Sequence, residues 1–111
     1  MAVATVPLTK ILTAQTTADV YAPFPPPSNG KFIESTVYVV WSAGASAGSV
    51  VIETAPYEGY TDTWANIATV AWSAEKKVNY VNVTGVFATV RVRIATTITG
   101  GTVDAYVIAT N

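Results

Sequence analysis

The feature that most constrains the fold of this chain is an alternation of apolar and polar side chains between residues 86 and 109. Apolar residues take every second position from Val86 to Ile94, and Arg91 and Arg93 lie between them. The alternation resumes after Gly100-Gly101. A period of two predicts β-strands with one buried and one exposed face. Because glycine readily adopts the positive φ angles of tight turns, the Gly-Gly pair predicts an antiparallel hairpin.

Shorter segments of the same character fill the rest of the chain, with turn signals about every 8–12 residues, the spacing of a sandwich or small barrel. We therefore predict an all-β fold, an antiparallel sandwich of about eight strands with jelly-roll or immunoglobulin-like topology. The sequence leaves the choice between those topologies open. The predicted strands before residue 86 are 8–14, 19–22, 32–41, 49–55, 64–72 and 78–84.

The chain has 111 residues, enough for one domain, which we place at residues 8–111. Residues 1–7 form an arm that is either a disordered tail or a segment that pairs with a neighbouring subunit, and its apolar character favours pairing. The proline-rich segment 23–30 is interpreted as a stiff loop between strands, or as a rigid ledge for a partner surface.

Low charge is the main compositional signal. Only 12% of the residues are charged, against about 25% in an average soluble domain. Apolar surface beyond what a small domain can bury marks interfaces, so we expect contacts with other subunits. The scattered cations predict no nucleic-acid partner, and the short apolar runs predict no membrane partner. No signal peptide is evident, which favours folding in a cytoplasm.

The residue inventory excludes most catalytic chemistry. The chain has no histidine and no cysteine, so it has neither a serine–histidine triad, nor disulfides, nor the usual zinc ligands. We therefore expect no enzyme activity, no cofactor and no metal. Glu58 and Asp62 share one loop and offer at most a weak calcium site, because the ligand spacing of an EF-hand is missing.

Aromatic residues supply the first group of candidate contact residues. Tyr57, Tyr60 and Trp64 flank the predicted loop at 56–63. Exposed aromatic rings in a loop stack on sugar rings or anchor protein interfaces. We take these three residues as candidates for partner contact, with sugar binding as one form of it.

Arg91 and Arg93 supply the second group. They lie on one face of one predicted strand, about 7 Å apart by the rise of a β-strand. The simpler interpretation is that they pair with Asp104 or Glu53 across neighbouring strands. The alternative is a contact with an anionic group on a neighbouring protein.

The order of motifs along residues 31–109 resembles a known family. It runs from SVVIETA through TWANIATVAW and a strand ending VTG to VFATVRVRIATTITGGTVDAYVIA. This order resembles small virion structural proteins of tailed bacteriophages. The resemblance implies a capsid decoration or cement protein, made in the host cytoplasm and located in the virion. It also implies an oligomer, most simply a homotrimer, bound to a major capsid protein on the outer shell.

Two other functions remain open from the sequence. A tail, baseplate or fibre component would use the same sandwich as an assembly module. A carbohydrate-binding module would use the aromatic residues around the loop at 56–63.

Overall fold

The computed structural model describes residues 5–24 and 32–110, which form two packed β-sheets. Every strand pair in them is antiparallel. No helix among these residues is long and apolar enough to cross a membrane. The strands are β1 (Thr5–Gln15), β2 (Tyr21–Pro23), β3 (Phe32–Trp41), β4 (Ala47–Ala55), β5 (Ala65–Ala71), β6 (Val78–Phe87), β7 (Thr89–Thr99) and β8 (Val103–Thr110).

The two sheets have four strands each. Sheet 1 has the order β1-β8-β3-β6, and sheet 2 has the order β2-β7-β4-β5. The chain is thus a folded-over hairpin in which β1 pairs with β8, β2 with β7, β3 with β6 and β4 with β5. This nested pairing matches the strand order of a jelly roll. The predicted eight-stranded antiparallel sandwich is confirmed.

The core lies between the sheets and consists mainly of β-branched side chains. Burying one such side chain fully contributes about 1.5–3 kcal/mol, and β-branched residues pack well on a pleated surface. The predicted alternation holds in β7, where Val90, Val92 and Ile94 are buried and Arg91 and Arg93 face outward. The largest fully buried side chains are Ile52, Ile94, Val37, Val39, Val50, Val90, Val92, Val103 and Val107.

The hairpin predicted at Gly100-Gly101 is wrong. β7 belongs to sheet 2 and β8 to sheet 1, so these glycines connect the two sheets. Gly100 does have a positive φ of 80°. Both glycines also pack against the β3–β4 connection, where an added Cβ would lie 2.5 Å from the Gly44 oxygen or 2.6 Å from the Ala45 nitrogen. Close packing of two crossovers, rather than hairpin geometry, therefore requires glycine here.

Several strand boundaries also differ from the predictions, by one to three residues at an end. β6 continues through Gly85 to Phe87, so the alternation that starts at Val86 spans two strands that meet at the exposed Ala88. β2 lies at Tyr21–Pro23, slightly later than predicted. Residues 1–4 of the predicted arm lie outside the described residues, and its remainder belongs to β1. The proline-rich segment is described only as far as Phe24.

The sandwich has two ends and two lateral sides. Its longest dimension is 46 Å, which accommodates strands of ten or eleven residues together with their loops. The β4–β5 loop, residues 56–64, lies at one end, and the β5–β6 connection, residues 72–77, lies at the other, because β5 runs between them. The edge strands β1 and β2 contact each other on one side, and β5 and β6 contact each other on the opposite side.

Candidate functional site

The structure brings together all five residues predicted as partner contacts, on and beside the outer face of sheet 2. The Arg91 guanidinium carbon lies 3.9 Å from the centre of the Trp64 ring. The Trp64 indole nitrogen donates a hydrogen bond of 2.9 Å to the Tyr60 carbonyl oxygen. Tyr60 and Tyr57 meet edge to face, with ring centres 5.3 Å apart. Arg93 belongs to the same group because it and Arg91 donate hydrogen bonds to one carboxylate.

That shared carboxylate belongs to Glu53, which is 4% exposed on β4. Its Oε1 accepts hydrogen bonds from the Nε atoms of Arg91 and Arg93, each at 2.8 Å. Arg93 also donates to Asp19 at 3.0 Å. The predicted pairing with Glu53 is therefore confirmed. Asp104, the alternative partner, lies 3.5 Å from the Lys10 ammonium instead.

The ion pairs fix the charge of this cluster. Burial alone would raise the pKa of Glu53, but hydrogen bonds from Arg93 and Arg91, together with their charges, outweigh it and hold that pKa below its ordinary value. The hydrogen bond to Glu53 is the main cause of a raised pKa for Arg93, and Asp19 adds to it. Two guanidinium groups thus face two carboxylates, and the cluster is neutral at pH 7.

Tyr21 completes the cluster, and the sequence analysis did not identify it. Its ring centre lies 4.6 Å from the Arg91 guanidinium carbon, so that guanidinium is in contact with both Tyr21 and Trp64. The pairing of Tyr21 with Arg93 in β2 and β7 places it there. No local signal in the sequence indicates this pairing, because the two strands lie about 70 residues apart.

This arrangement is better suited to stabilising the fold than to binding an anion. The Arg91 and Arg93 side chains are only 16% and 25% exposed, and both are already paired with carboxylates. Within the described ranges, no group of three or more acidic, histidine or cysteine side chains is placed to hold a metal ion. The cluster links β2, β4 and β7 to the β4–β5 loop, and it leaves two depressions of about 390 and 290 Å³ beside it.

The outer face of sheet 1 carries a surface of a different kind. The strand register aligns Lys10, Tyr106, Tyr38 and Tyr80 in one row across all four strands. Residues directly opposite each other in adjacent strands have Cβ atoms about 5 Å apart, so the three rings form a continuous band. Tyr38 is 37% exposed and Tyr80 is 66% exposed. We call this row the tyrosine band; Val78 and Ile108 are also exposed on the same face.

The two lateral sides of the sandwich differ in how their strand edges are protected. Natural edge strands avoid unwanted pairing through short length, proline, lysine or β-bulges. β1 contains Pro7, Lys10 and three register shifts, and β2 has only three residues and ends at Pro23. The pairings of β5 and β6 have one register shift each, but these two strands contain neither a charged residue nor a proline. We call the side formed by β5 and β6 the open side.

Comparison with known proteins gives one informative result. No family model and no curated protein matches this chain. Among solved structures, a chain from Bacillus endospore appendages, described as disulfide-linked pili, matches with a TM-score of 0.51 and 15% sequence identity. The alignment covers 99% of this chain and 88% of that chain. At this identity the similarity shows the fold alone.

The function predicted from the sequence is contradicted by this comparison. The similar solved structure belongs to a bacterial surface appendage and not to a phage capsid, so the prediction of a capsid decoration or cement protein is wrong. Nothing in it supports a homotrimer or a major capsid protein as partner. The resemblance to phage virion proteins and the location in a virion stay predictions that these comparisons do not test.

Proposed function

We propose that this protein is a structural subunit, without catalytic activity, that associates with copies of itself into an extended assembly. The observation that carries the proposal is the open side, where two adjacent uncharged edge strands meet. Each edge presents unpaired backbone N–H and C=O groups, which are a template for another strand. The pilus architecture of the structural neighbour supports the same kind of role.

A second copy of this chain is a suitable partner for the open side. Ten residues of β6 span about 33 Å at 3.3 Å per residue, and the sandwich is 18 Å thick, so the open side presents about 600 Å². A standard interface buries about 800 Å² per partner. Contributions from the adjoining tyrosine band, which ends at Tyr80 on β6, bring the contact into that range.

The proposed assembly differs from the neighbour in one chemical respect. The neighbour is described as a family of disulfide-linked pili, whereas this chain contains no cysteine. Disulfides therefore cannot link these chains, and we expect non-covalent contacts to hold them. We expect the assembly to dissociate on dilution or in mild denaturant, and to be indifferent to reducing agents.

A matched pair of lysine substitutions tests the proposal. Tyr80→Lys places a charge on the open β6 edge, and Leu8→Lys makes the same kind of change on the protected β1 edge; the original side chains are 66% and 59% exposed. Light scattering after size exclusion, over a range of concentrations, should show the same multimers for the wild type and Leu8→Lys but a smaller species for Tyr80→Lys, which has lost the lateral contact. A wild type that stays monomeric throughout, or equal association of both variants, would overturn the proposal.

A further inference from the structure

We infer that copies of this protein join end to end, with the lysine turn of one copy docked on the acidic loop of the next. This inference rests on the proposed function and adds the geometry by which the assembly grows. The lysine turn is residues 73–77, which include Lys76 and Lys77. The acidic loop is residues 56–64, which include Glu58 and Asp62.

The two segments lie at opposite ends of the 46 Å axis, because β5 runs from one to the other. All four charged side chains are exposed, and none of them has an ion pair among the described residues. Among the other described charges, Lys10 pairs with Asp104, and Arg91 and Arg93 pair with Glu53 and Asp19. The charges available for contact are therefore concentrated at the two ends.

The signs of these charges are complementary. The lysine turn carries Lys76, Lys77 and Glu75, a net charge of +1. The acidic loop carries two carboxylates, and the exposed Glu34 near the start of β3 lies toward the same end. The sixth cation, Lys31, lies outside the described residues. Opposite charges on opposite ends favour contact between unlike ends and disfavour contact between like ends.

The acidic loop also borders a surface depression that can accommodate a lysine side chain. A depression of about 290 Å³ lies beside Glu58 and is lined by Tyr21, Tyr60 and Trp64. Lysine buries its methylene stem along apolar surface and keeps its ammonium near a carboxylate or an aromatic face. Arg91 also lines this depression, but its charge is balanced by Glu53 at 2.8 Å.

A contact between the lysine turn of one copy and the acidic loop of the next can be repeated indefinitely, because it does not form a closed oligomer. The surface used on one copy differs from the surface used on the next, so each added copy presents a free end, and a straight arrangement gives a filament. Pairing through the open side is a separate lateral contact. We therefore expect filaments with an axial repeat of about 46 Å, which weaken as salt screens the charges over about 10 Å at 0.1 M.

Charge reversal at each end tests this inference. One variant carries Lys76→Glu and Lys77→Glu, and the other carries Glu58→Lys and Asp62→Lys. Each variant alone has two ends of the same sign, and we expect at least a tenfold rise in the concentration needed for filaments by negative-stain electron microscopy. An equal mixture of the two variants should recover filaments by alternation, and so should a single chain with all four substitutions.

The outcomes separate the inference from the proposed function. Filaments formed by either end variant at the wild-type concentration, or a mixture that fails to recover them, overturn the end-to-end contact. If these variants still form the lateral multimers that Tyr80→Lys abolishes, the proposed function stands. If the wild type forms neither multimers nor filaments, both fail. Circular dichroism and thermal melting serve as the folding control, and each variant should remain folded because the substitutions lie in exposed turns.

Discussion

The outer faces of the two sheets differ in how their side chains find partners. On sheet 2, Arg91 and Arg93 are satisfied within the chain by the buried carboxylate of Glu53. On sheet 1, the tyrosine band crosses four strands, and Tyr80 at its end is 66% exposed on an open edge. Charge inside one sheet face stabilises the monomer, whereas aromatic surface on the other is available for association. Substitutions on the two faces should therefore affect different measurements.

The largest expected effect on the free energy of unfolding comes from removing Glu53. Glu53→Ala leaves Arg91 and Arg93 without their shared carboxylate in a partly buried site. Loss of one partner of a buried ion pair costs about 3–5 kcal/mol, and partial exposure of the arginines reduces this to about 2–3 kcal/mol. Urea unfolding of the wild type and of Glu53→Ala measures this loss in the free energy of unfolding. Glu53→Gln keeps the volume and one acceptor oxygen, and it should lose less. A change in Glu53→Ala below about 0.5 kcal/mol would show that the cluster is not stabilising.

A smaller loss is expected from Trp64→Ala. This substitution removes the ring 3.9 Å from the Arg91 guanidinium and the indole hydrogen bond to Tyr60. A stacked cation and one hydrogen bond together contribute about 1–2 kcal/mol at a half-exposed site. Tyr57→Ala is the matched control, because Tyr57 is 59% exposed and contacts only the edge of the cluster. If both variants lowered the melting temperature equally, Trp64 would contribute no more to stability than Tyr57, contrary to this prediction.

The pH dependence of stability follows from the lowered pKa of Glu53. Because the folded-state pKa lies below the ordinary value of 4.5, the folded state favours the ionised carboxylate. This contribution is fully present above the unfolded-state pKa and is lost as pH falls through the folded-state pKa. The stability difference between the wild type and Glu53→Gln should thus be constant from pH 7 to 5 and should shrink below about pH 4.5. If urea unfolding showed a stability difference that grows as the pH falls, the folded-state pKa of Glu53 would be raised rather than lowered, contrary to this prediction.

The sequence predicted strand identity well, because alternation is a local signal. Val90, Val92 and Ile94 are buried as the period of two requires, and Phe32–Trp41 is a strand with the predicted bounds. The order of the strands is not local, so the sequence left it open. The Gly100-Gly101 connection shows this limit, since the same glycines serve a hairpin or a crossover between sheets.

The candidate site was predictable to the extent that its residues lie close in sequence. Tyr57, Tyr60 and Trp64 share one loop, and Arg91 and Arg93 share one strand face, so each group was recognised. Tyr21 and the tyrosine band were missed because their neighbours come from strands far apart in the chain. The charges of the lysine turn and the acidic loop are visible in the sequence, but their position at opposite ends of the molecule follows only from the direction of β5.

The smallest expected effect on unfolding comes from the middle of the tyrosine band. Tyr38→Thr replaces a ring that is 37% exposed with a residue that also favours strands, so the free energy of unfolding should change by less than about 0.5 kcal/mol. The same change removes apolar area beside the open side, so the concentration needed for multimers should rise. Leu8→Thr, at an exposed site on the protected β1 edge, is the control and should leave that concentration unchanged. If Tyr38→Thr destabilised the monomer as much as Trp64→Ala does, the band would belong to the fold of the single chain, and the contrast between the two faces would be lost.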